Sequence, residues 1–425
     1  MLESYFVKPQ TADRVRASWI GPEVERYVEW LAEHGYASRC VIRRVPLVVA
    51  FSEFARVRGA CVVEDLPAYV EVFVGERVAC HRGVRRCGNV DTDRQVAREV
   101  RGPIEQFLRL VVPGFLGSGR RQRRDPFADA LPGFFDYLLF ERGIRPATIR
   151  QYRYHLWRFE AYLDRIGVGR LSGVSPMLLS AFVVELAGTG LSKETVGVAC
   201  GMLRVLLRYA HRQGAISRDL STAVESPQIY RLAEIPRSIS WDELGQVLAC
   251  VDRRTPAGRR DYAILLLLST YGLRSREIAA LTLDDIDWKH ERLAVPSRKA
   301  GHSTAFPLSR AVGEALVDYL RHGRPQTSDR RVFFRAVAPV EPIGHAAISK
   351  RARHFLLTAG IDVARPGSHT LRHSCVQRLV DADFSLKTIG DFVGHRSAKS
   401  TEVYAKVAVE SLREVALGDG EEVLS

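Results

Sequence analysis

Three short stretches carry residue types that can do chemistry. Near the C-terminal end stands Gly394-His395-Arg396-Ser397-Ala398-Lys399-Ser400-Thr401-Glu402-Val403-Tyr404, with the tyrosine nine positions after the histidine. Upstream lies His369-Thr370-Leu371-Arg372-His373-Ser374, and before it Tyr271-Gly272-Leu273-Arg274-Ser275-Arg276-Glu277. Singly, each has an ordinary reading: a surface arginine past a buried segment, a His/Arg pair that caps a helix, a half-buried packing tyrosine. Read together they can supply a nucleophile, two phosphate clamps and two imidazoles. A positioned phenol can attack a phosphoryl group and hold it as an ester. Arginine suits the non-bridging oxygens, because its planar fork donates two parallel hydrogen bonds and never deprotonates. Such donors stabilise developing charge best when fixed in a water-poor site. The departing oxygen needs a proton, which a lysine or histidine supplies. The chemistry expected is metal-free, cofactor-free transesterification at a phosphodiester, with the bond energy kept in the tyrosyl ester so that rejoining needs no ATP.

Elements must bring these residues together. Asp261 to Thr270 is nearly all apolar and reads as a buried helix, which delivers Arg274 to its end with Glu277 one turn on. His369 and Arg372 are spaced i, i+3 and share a helical face. Arg292–Pro296 and Ser303–Leu308 read as two strands joined by Ser297-Arg298-Lys299-Ala300-Gly301. Lys299 is the candidate acid in that turn, with Arg298 beside it as a competitor. Ser240-Trp241-Asp242-Glu243 is a capping box that opens this helical region. From there to about Leu417 the pattern otherwise reads as helices joined by polar turns.

The first half reads differently. Residues 1–20 look irregular. Val24, Tyr27, Val28 and Leu31 then recur at helical spacing, ending at Gly35. Further helices are expected at about Arg39–Arg58 and Leu66–Glu76. Tyr27 to Gly59 can be laid on Phe135 to Gly167 at a constant offset of 108, with Leu31 on Leu139, Gly35 on Gly143 and Gly59 on Gly167. Helices near Ala97–Val111 and Val196–Ala210 correspond at an offset of 99, so the first copy carries nine extra residues, expected as a loop around Val78–Gln95. This reads as a duplicated helical module. The extra residues hold Arg77, Arg82, Arg85 and Arg86, which suit either a DNA-contacting or a solvated loop. Between the copies, Gly114 to Pro126 is a glycine-containing tether with Arg120, Arg121, Arg123 and Arg124, able to follow a phosphate backbone. Pro227 and Pro236 mark a second linker.

The 62 basic residues against 49 acidic ones give +13 and favour a polyanionic partner. A hydrophobic share of 46% excludes a disordered chain. The longest apolar run, Ala263–Leu268, is too short for a bilayer span. Met1–Phe6 carries Glu3 early and lacks a secretion-signal pattern, so a cytoplasmic protein without membrane contact is expected, nucleoid-associated when bound to DNA. Seven scattered cysteines suit reduced thiols. Cys80, His81 and Cys87 lack the second cysteine pair of a zinc set.

The order Gly-Leu-Arg-x-x-Glu, lysine hairpin, His-x-Leu-Arg-His, Gly-His, then tyrosine resembles the tyrosine recombinases, the phage integrase family, strongly over Arg237–Val415 and more weakly over Asp125–Glu225. The resemblance implies a mainly α fold: two helical core-binding-like modules (1–118 and a SAM-like 119–235), then a mixed α/β, mostly helical catalytic domain with a small sheet (236–425). It implies Arg274 and Arg372 as phosphate clamps, His369 and His395 polarising the scissile phosphate, Lys299 as general acid, Tyr404 as nucleophile and Glu277 as support. The turn departs from the usual Gly-Lys-Gly of the family. Double-stranded DNA is the implied partner, with a homotetramer on two sites, accessory recombination proteins, and an integrase or transposase setting in a mobile element. Leu412, Val415 and Ala416 would form a tail helix that docks on a neighbouring subunit. The alternatives are a type IB topoisomerase-like nicking-closing enzyme and a catalytically idle DNA-binding accessory protein.

Overall fold

The computed structural model describes residues 2–6, 8–84, 90–117, 124–228, 238–296 and 304–394. The first module begins earlier than its sequence suggests. Leu2–Ser4 forms a 3-10 turn and α1 (Pro9–Arg16) follows, so most of residues 1–20 is ordered rather than irregular. Leu2, Phe6, Ala12 and Val15 are buried, which explains the order: these scattered apolar residues complete a core instead of repeating along one long helix. α2 (Gly21–Glu33) buries the four residues whose spacing predicts it, and α3 (Ser38–Val57) packs on it. The third expected helix is divided. Val63–Tyr69 is a 3-10 turn started by Asp65, whose carboxylate accepts the amides of Cys61 and Val62 at 2.9 and 3.1 Å. It runs into α4 (Val70–Val84), and α5 (Val90–Val111) completes the module. The expected loop around Val78–Gln95 is therefore mostly helix on either side of 85–89. Arg77 sits on α4 over the Phe73 ring at 5.0 Å. Arg85, Arg86 and Cys87 lie outside the described residues.

The second module has its own core, from Phe127 to Val224. α6 (Phe134–Asp136) continues into a π turn, Tyr137–Glu141; α7 (Pro146–Arg165), α8 (Pro176–Gly188) and α9 (Lys193–Arg212) follow. Gly35 and Gly143, and Gly59 and Gly167, are each 108 apart (143 − 35; 167 − 59), and all four take positive φ, 72°, 58°, 105° and 76°. Before the first of these glycines the correspondence shifts by one. The buried residues Ile20, Val24, Tyr27 and Leu31 match buried Phe127, Leu131, Phe134 and Leu138, an offset of 107 (134 − 27). The pairings of Tyr27 with Phe135 and Leu31 with Leu139 are corrected accordingly; Leu139 is 37% exposed. The π turn is the reason. Arg142 N–H reaches back to the Tyr137 carbonyl at 3.0 Å, and this wider turn takes up one extra residue.

The third region opens at α10 (Trp241–Ala249). Its capping box is present: Glu243 N–H donates to Ser240 Oγ at 3.1 Å, and Ser240 N–H to Glu243 Oε2 at 2.7 Å. α11 (Pro256–Thr270) is central and almost wholly buried, with α12 (Ser275–Ala280) after it. Its one buried carboxylate, Asp261, is held by Arg260 and Arg351, each at 2.7 Å. The sheet is antiparallel in the order β1 (Ile286–Asp287), β2 (Arg292–Val295), β3 (Thr304–Pro307), with Val295 opposite Thr304. β1 has two residues, too few to show a period. The connection at 297–303, with Arg298 and Lys299, lies outside the described residues. α13 (Arg310–His322), α14 (His345–Thr358), α15 (Ser368–Asp381) and α16 (Leu386–Val393) complete the region. Between α13 and α14 the expected helical run gives way to irregular chain with isolated bridges, Thr282 to Arg331 and Phe334 to Pro342.

Leu116–Ala233 forms one compact unit; the remaining residues form another. Within the latter, Val340 N–H donates to the His34 carbonyl at 3.0 Å and Ala338 packs against the first module's core. Among the described residues no helix is long and apolar enough to cross a membrane.

Candidate active site

The site is built where α11 stops. Gly272 takes φ 58°, a left-handed turn that ends the helix and redirects the chain into α12. A Cβ placed on Gly272 would sit 3.2 Å from Val393 Cγ1 and 3.3 Å from Cys375 Sγ, so α15 and α16 close directly over this turn. Arg274 stands immediately before α12. Glu277 binds it twice: its Oε2 accepts the Arg274 amide at 2.8 Å and its Oε1 accepts Nη1 at 2.8 Å. The carboxylate thus satisfies an orphan helix-start amide and fixes the guanidinium with one side chain.

Arg372 lies on α15 and is 5% exposed. It donates through Nη1 to the Gly272 carbonyl and through Nη2 to Val393 O at 2.7 Å. Arg274 donates through Nη2 to Gly394 O, also at 2.7 Å. The last carbonyls of a helix lack internal partners and form the negative end of its dipole. Two consecutive carbonyls at the end of α16 therefore draw the two guanidiniums together. The Arg274 guanidinium carries more donors than its two contacts among the described residues use, which leaves capacity for an anion. The Arg274 side chain retains 22% exposure, so it is the one open to solvent.

His369 stands one turn before Arg372. Burial, then the charges of Arg372 and Arg274, hold its imidazole below the ordinary histidine range. His373 lies 6.3 Å from it, ring to ring. Burial, then His369 and Arg372, push His373 down to about 4. Both rings are neutral at pH 7 and can accept a proton or a hydrogen bond. Ser374 anchors this helix to the start of the region, accepting Ile239 N–H at 2.8 Å and donating to Thr370 O at 3.1 Å.

Of the residues singled out from sequence, Arg274, Glu277, His369 and Arg372 are thus brought together. Lys299, His395 and Tyr404 lie outside the described residues, as do Arg120, Arg121 and Arg123. Arg124 belongs to the other compact unit, where it pairs with Asp129 and its carbonyl accepts Trp157 Nε1–H at 2.8 Å. Sequence reasoning missed the carbonyl acceptors, Gly272, Val393 and Gly394. The two glycines were visible at helix ends, but a backbone acceptor leaves no signature in side-chain types.

Residues 237–411 match the phage integrase family, and residues 131–214 match the phage integrase N-terminal SAM-like domain. A protein named as integrase/recombinase y4rA of Sinorhizobium fredii (strain NBRC 101917 / NGR234) is 32% identical over 92% of this chain and 92% of its own. The chain belongs to the phage integrase family. It is a site-specific tyrosine recombinase, an enzyme class that breaks and rejoins DNA. Tyrosine recombinase XerD of Mycobacterium tuberculosis (strain ATCC 25618 / H37Rv) is 31% identical over 68% of this chain and 96% of its own. Among solved structures, the XerH site-specific recombinase, in a post-cleavage complex with palindromic difH substrate, superposes with a TM-score of 0.54. The match covers 83% of this chain and 96% of that one at 16% identity, a likeness of fold. The mainly helical fold with one small sheet is that of the tyrosine recombinases.

Proposed function

We propose that this recombinase cleaves duplex DNA with Tyr404 as nucleophile, leaving a 3′-phosphotyrosyl ester and a free 5′-hydroxyl, and rejoins strands by the reverse step without metal or ATP. The observation that carries this reading is the convergence of Arg274 and Arg372 on the neighbouring carbonyls of Gly394 and Val393. Those carbonyls immediately precede His395 in the chain, and the tyrosine follows nine residues later. The carbonyls that hold the arginines are therefore close in sequence to the proposed nucleophile. Arg274 and Arg372 hold the non-bridging oxygens. Neutral His369 accepts the phenolic proton, His395 polarises the phosphate, and Lys299 protonates the leaving 5′-oxygen. Glu277 keeps Arg274 in place.

In this reading 1–118, 119–235 and 236–425 are three domains, the first a duplicate of the second, and the chain acts as a tetramer on two DNA sites. The matching left-handed glycines and the shared set of buried positions support the duplication. Arg120, Arg121, Arg123 and Arg124 contact the DNA backbone between modules. XerH is bound to its difH DNA in the solved structure, which supports DNA as the substrate here.

The test is a suicide substrate built from the DNA ends flanking the gene, followed by peptide mapping of the adduct. A DNA-linked peptide containing Tyr404 is expected, formed equally in EDTA and lost in Tyr404→Phe. A linkage through another residue would refute the assignment. Relaxation of plasmids lacking any specific site would favour the nicking-closing alternative.

A further inference from the structure

Tyr271 has no part in the roles above. Its ring is buried, 3% exposed, three residues before Arg274. Its hydroxyl donates to the Pro307 carbonyl at 2.8 Å and accepts Ser309 N–H at 2.8 Å. Both partners lie where β3 ends and α13 begins. Among the described residues β3 is an edge strand, paired with β2 alone. An edge leaves backbone groups without strand partners. The phenol supplies the missing donor and acceptor. The Tyr271 ring also lies 5.1 Å from Phe306 of β3, which lies 5.1 Å from Phe392 of α16. One aromatic series thus joins the segment bearing Arg274, the strand returning from the Lys299 connection, and the helix whose last carbonyls hold both arginines.

We infer that Tyr271 is a positioning residue that fixes the end of β3 and the start of α13 to the segment bearing Arg274, and thereby sets proton delivery from Lys299. The inference rests on the general-acid role proposed for Lys299. In the cleavage step the Tyr404 oxygen bonds to phosphorus, the bond from phosphorus to the 5′-oxygen breaks, and that oxygen takes a proton from the Lys299 ammonium. General acid catalysis needs hydrogen-bond contact with the leaving atom, and a displacement of about 1 Å can cost roughly 100-fold in rate. Freeing β3 at Pro307 and Ser309 loosens the strand that follows Lys299 in the chain, while the arginines keep their carbonyl contacts. A leaving 5′-thiolate is stable without a proton, so a substrate with sulfur in place of the bridging 5′-oxygen does not need the acid.

The experiment compares single-turnover cleavage of oxygen and 5′-sulfur suicide substrates by the full-length wild type, Tyr271→Phe, Lys299→Ala and Arg274→Ala. Tyr271→Phe is expected to slow the oxygen substrate by about 10- to 100-fold and to cleave the sulfur substrate within a few-fold of wild type. Lys299→Ala should show the same rescue and Arg274→Ala none. Phe306→Leu, which breaks the ring series but keeps both hydrogen bonds, should show a milder oxygen-specific defect. Tyr271→Phe at wild-type rate on oxygen, or equally slow on both substrates while Lys299→Ala is rescued, overturns the inference. Lys299→Ala unrescued by sulfur overturns the general-acid role instead, so the two failures are distinct.

Discussion

Arg274 donates to the carbonyl of Gly394, 120 residues further along the chain, at 2.7 Å. This bond ties the turn after α11 to the end of α16, and Arg372 ties the same two places through Gly272 and Val393. The arginines thus have a structural duty as well as a chemical one. They differ in burial, and that difference separates their variants.

Arg274→Ala should lower single-turnover cleavage by about two to three orders of magnitude, since one transition-state donor is worth roughly 3–4 kcal/mol. Its unfolding temperature should fall only modestly: the Glu277 side chain, 4% exposed, loses its guanidinium partner, but Arg274 itself is partly exposed and Glu277 can still cap α12. Arg372→Ala should show a similar loss of cleavage together with a clear drop in unfolding temperature. It strands buried carbonyls, each costing roughly 1–3 kcal/mol. Equal stability of the two variants would show that Arg372 does not hold α16.

Glu277→Gln tests whether the carboxylate acts through Arg274. The amide retains one acceptor for the Arg274 amide but presents a donor, or no charge, to the guanidinium. Cleavage should fall by about tenfold, the value of a charge-assisted bond reduced to a neutral one, with duplex affinity unchanged. Full activity in Glu277→Gln would make the carboxylate a cap for α12 and nothing more.

The imidazoles give a pH signature. His373 has a folded value of about 4, below the ordinary 6.5, so the unfolded chain binds the proton better. The stability tied to this neutral ring is complete above pH 6.5 and is lost as pH falls towards about 4. His369 is displaced in the same direction and adds to the same acid limb. Denaturant midpoints measured from pH 7.5 to 4 should decline through that window, and His373→Asn should flatten part of the decline. An unchanged slope in the variant would mean that His373 is not held neutral by its surroundings.

The site was legible in sequence where side-chain type and spacing carry the chemistry. Arg274 and Glu277 come together because one helix start needs a cap, and His369 and Arg372 because they share a helical face. What escaped notice depends on the backbone: the carbonyls of Val393 and Gly394 are equivalent, from sequence, to any others. In sequence Tyr271 is only the residue before a Gly-Leu-Arg motif, since its partners are the backbone of Pro307 and Ser309. In the fold, Tyr27 and Leu31 announced α2 by their period. The one-residue shift to Phe134 and Leu138 was hidden, because a π turn changes neither the apolar content nor the glycine that ends the helix.

Gly272 and Gly143 form a natural control pair. Both take φ 58°, so alanine at either position meets the same backbone strain, about 1 kcal/mol or more. Their surroundings differ. A Cβ at Gly143 meets nothing within 4 Å, whereas at Gly272 it meets Val393 Cγ1 at 3.2 Å and Cys375 Sγ at 3.3 Å. Gly143→Ala should therefore show the strain alone and cleave normally. Gly272→Ala should lose more stability and push α16 away from the turn, drawing the Gly394 and Val393 carbonyls off the guanidiniums. Cleavage should fall by at least tenfold, the effect expected of a sub-ångström to ångström displacement at a positioned site. Matched unfolding temperatures and matched cleavage rates in the two variants would show that the close packing of α16 on Gly272 does not set the arginine geometry.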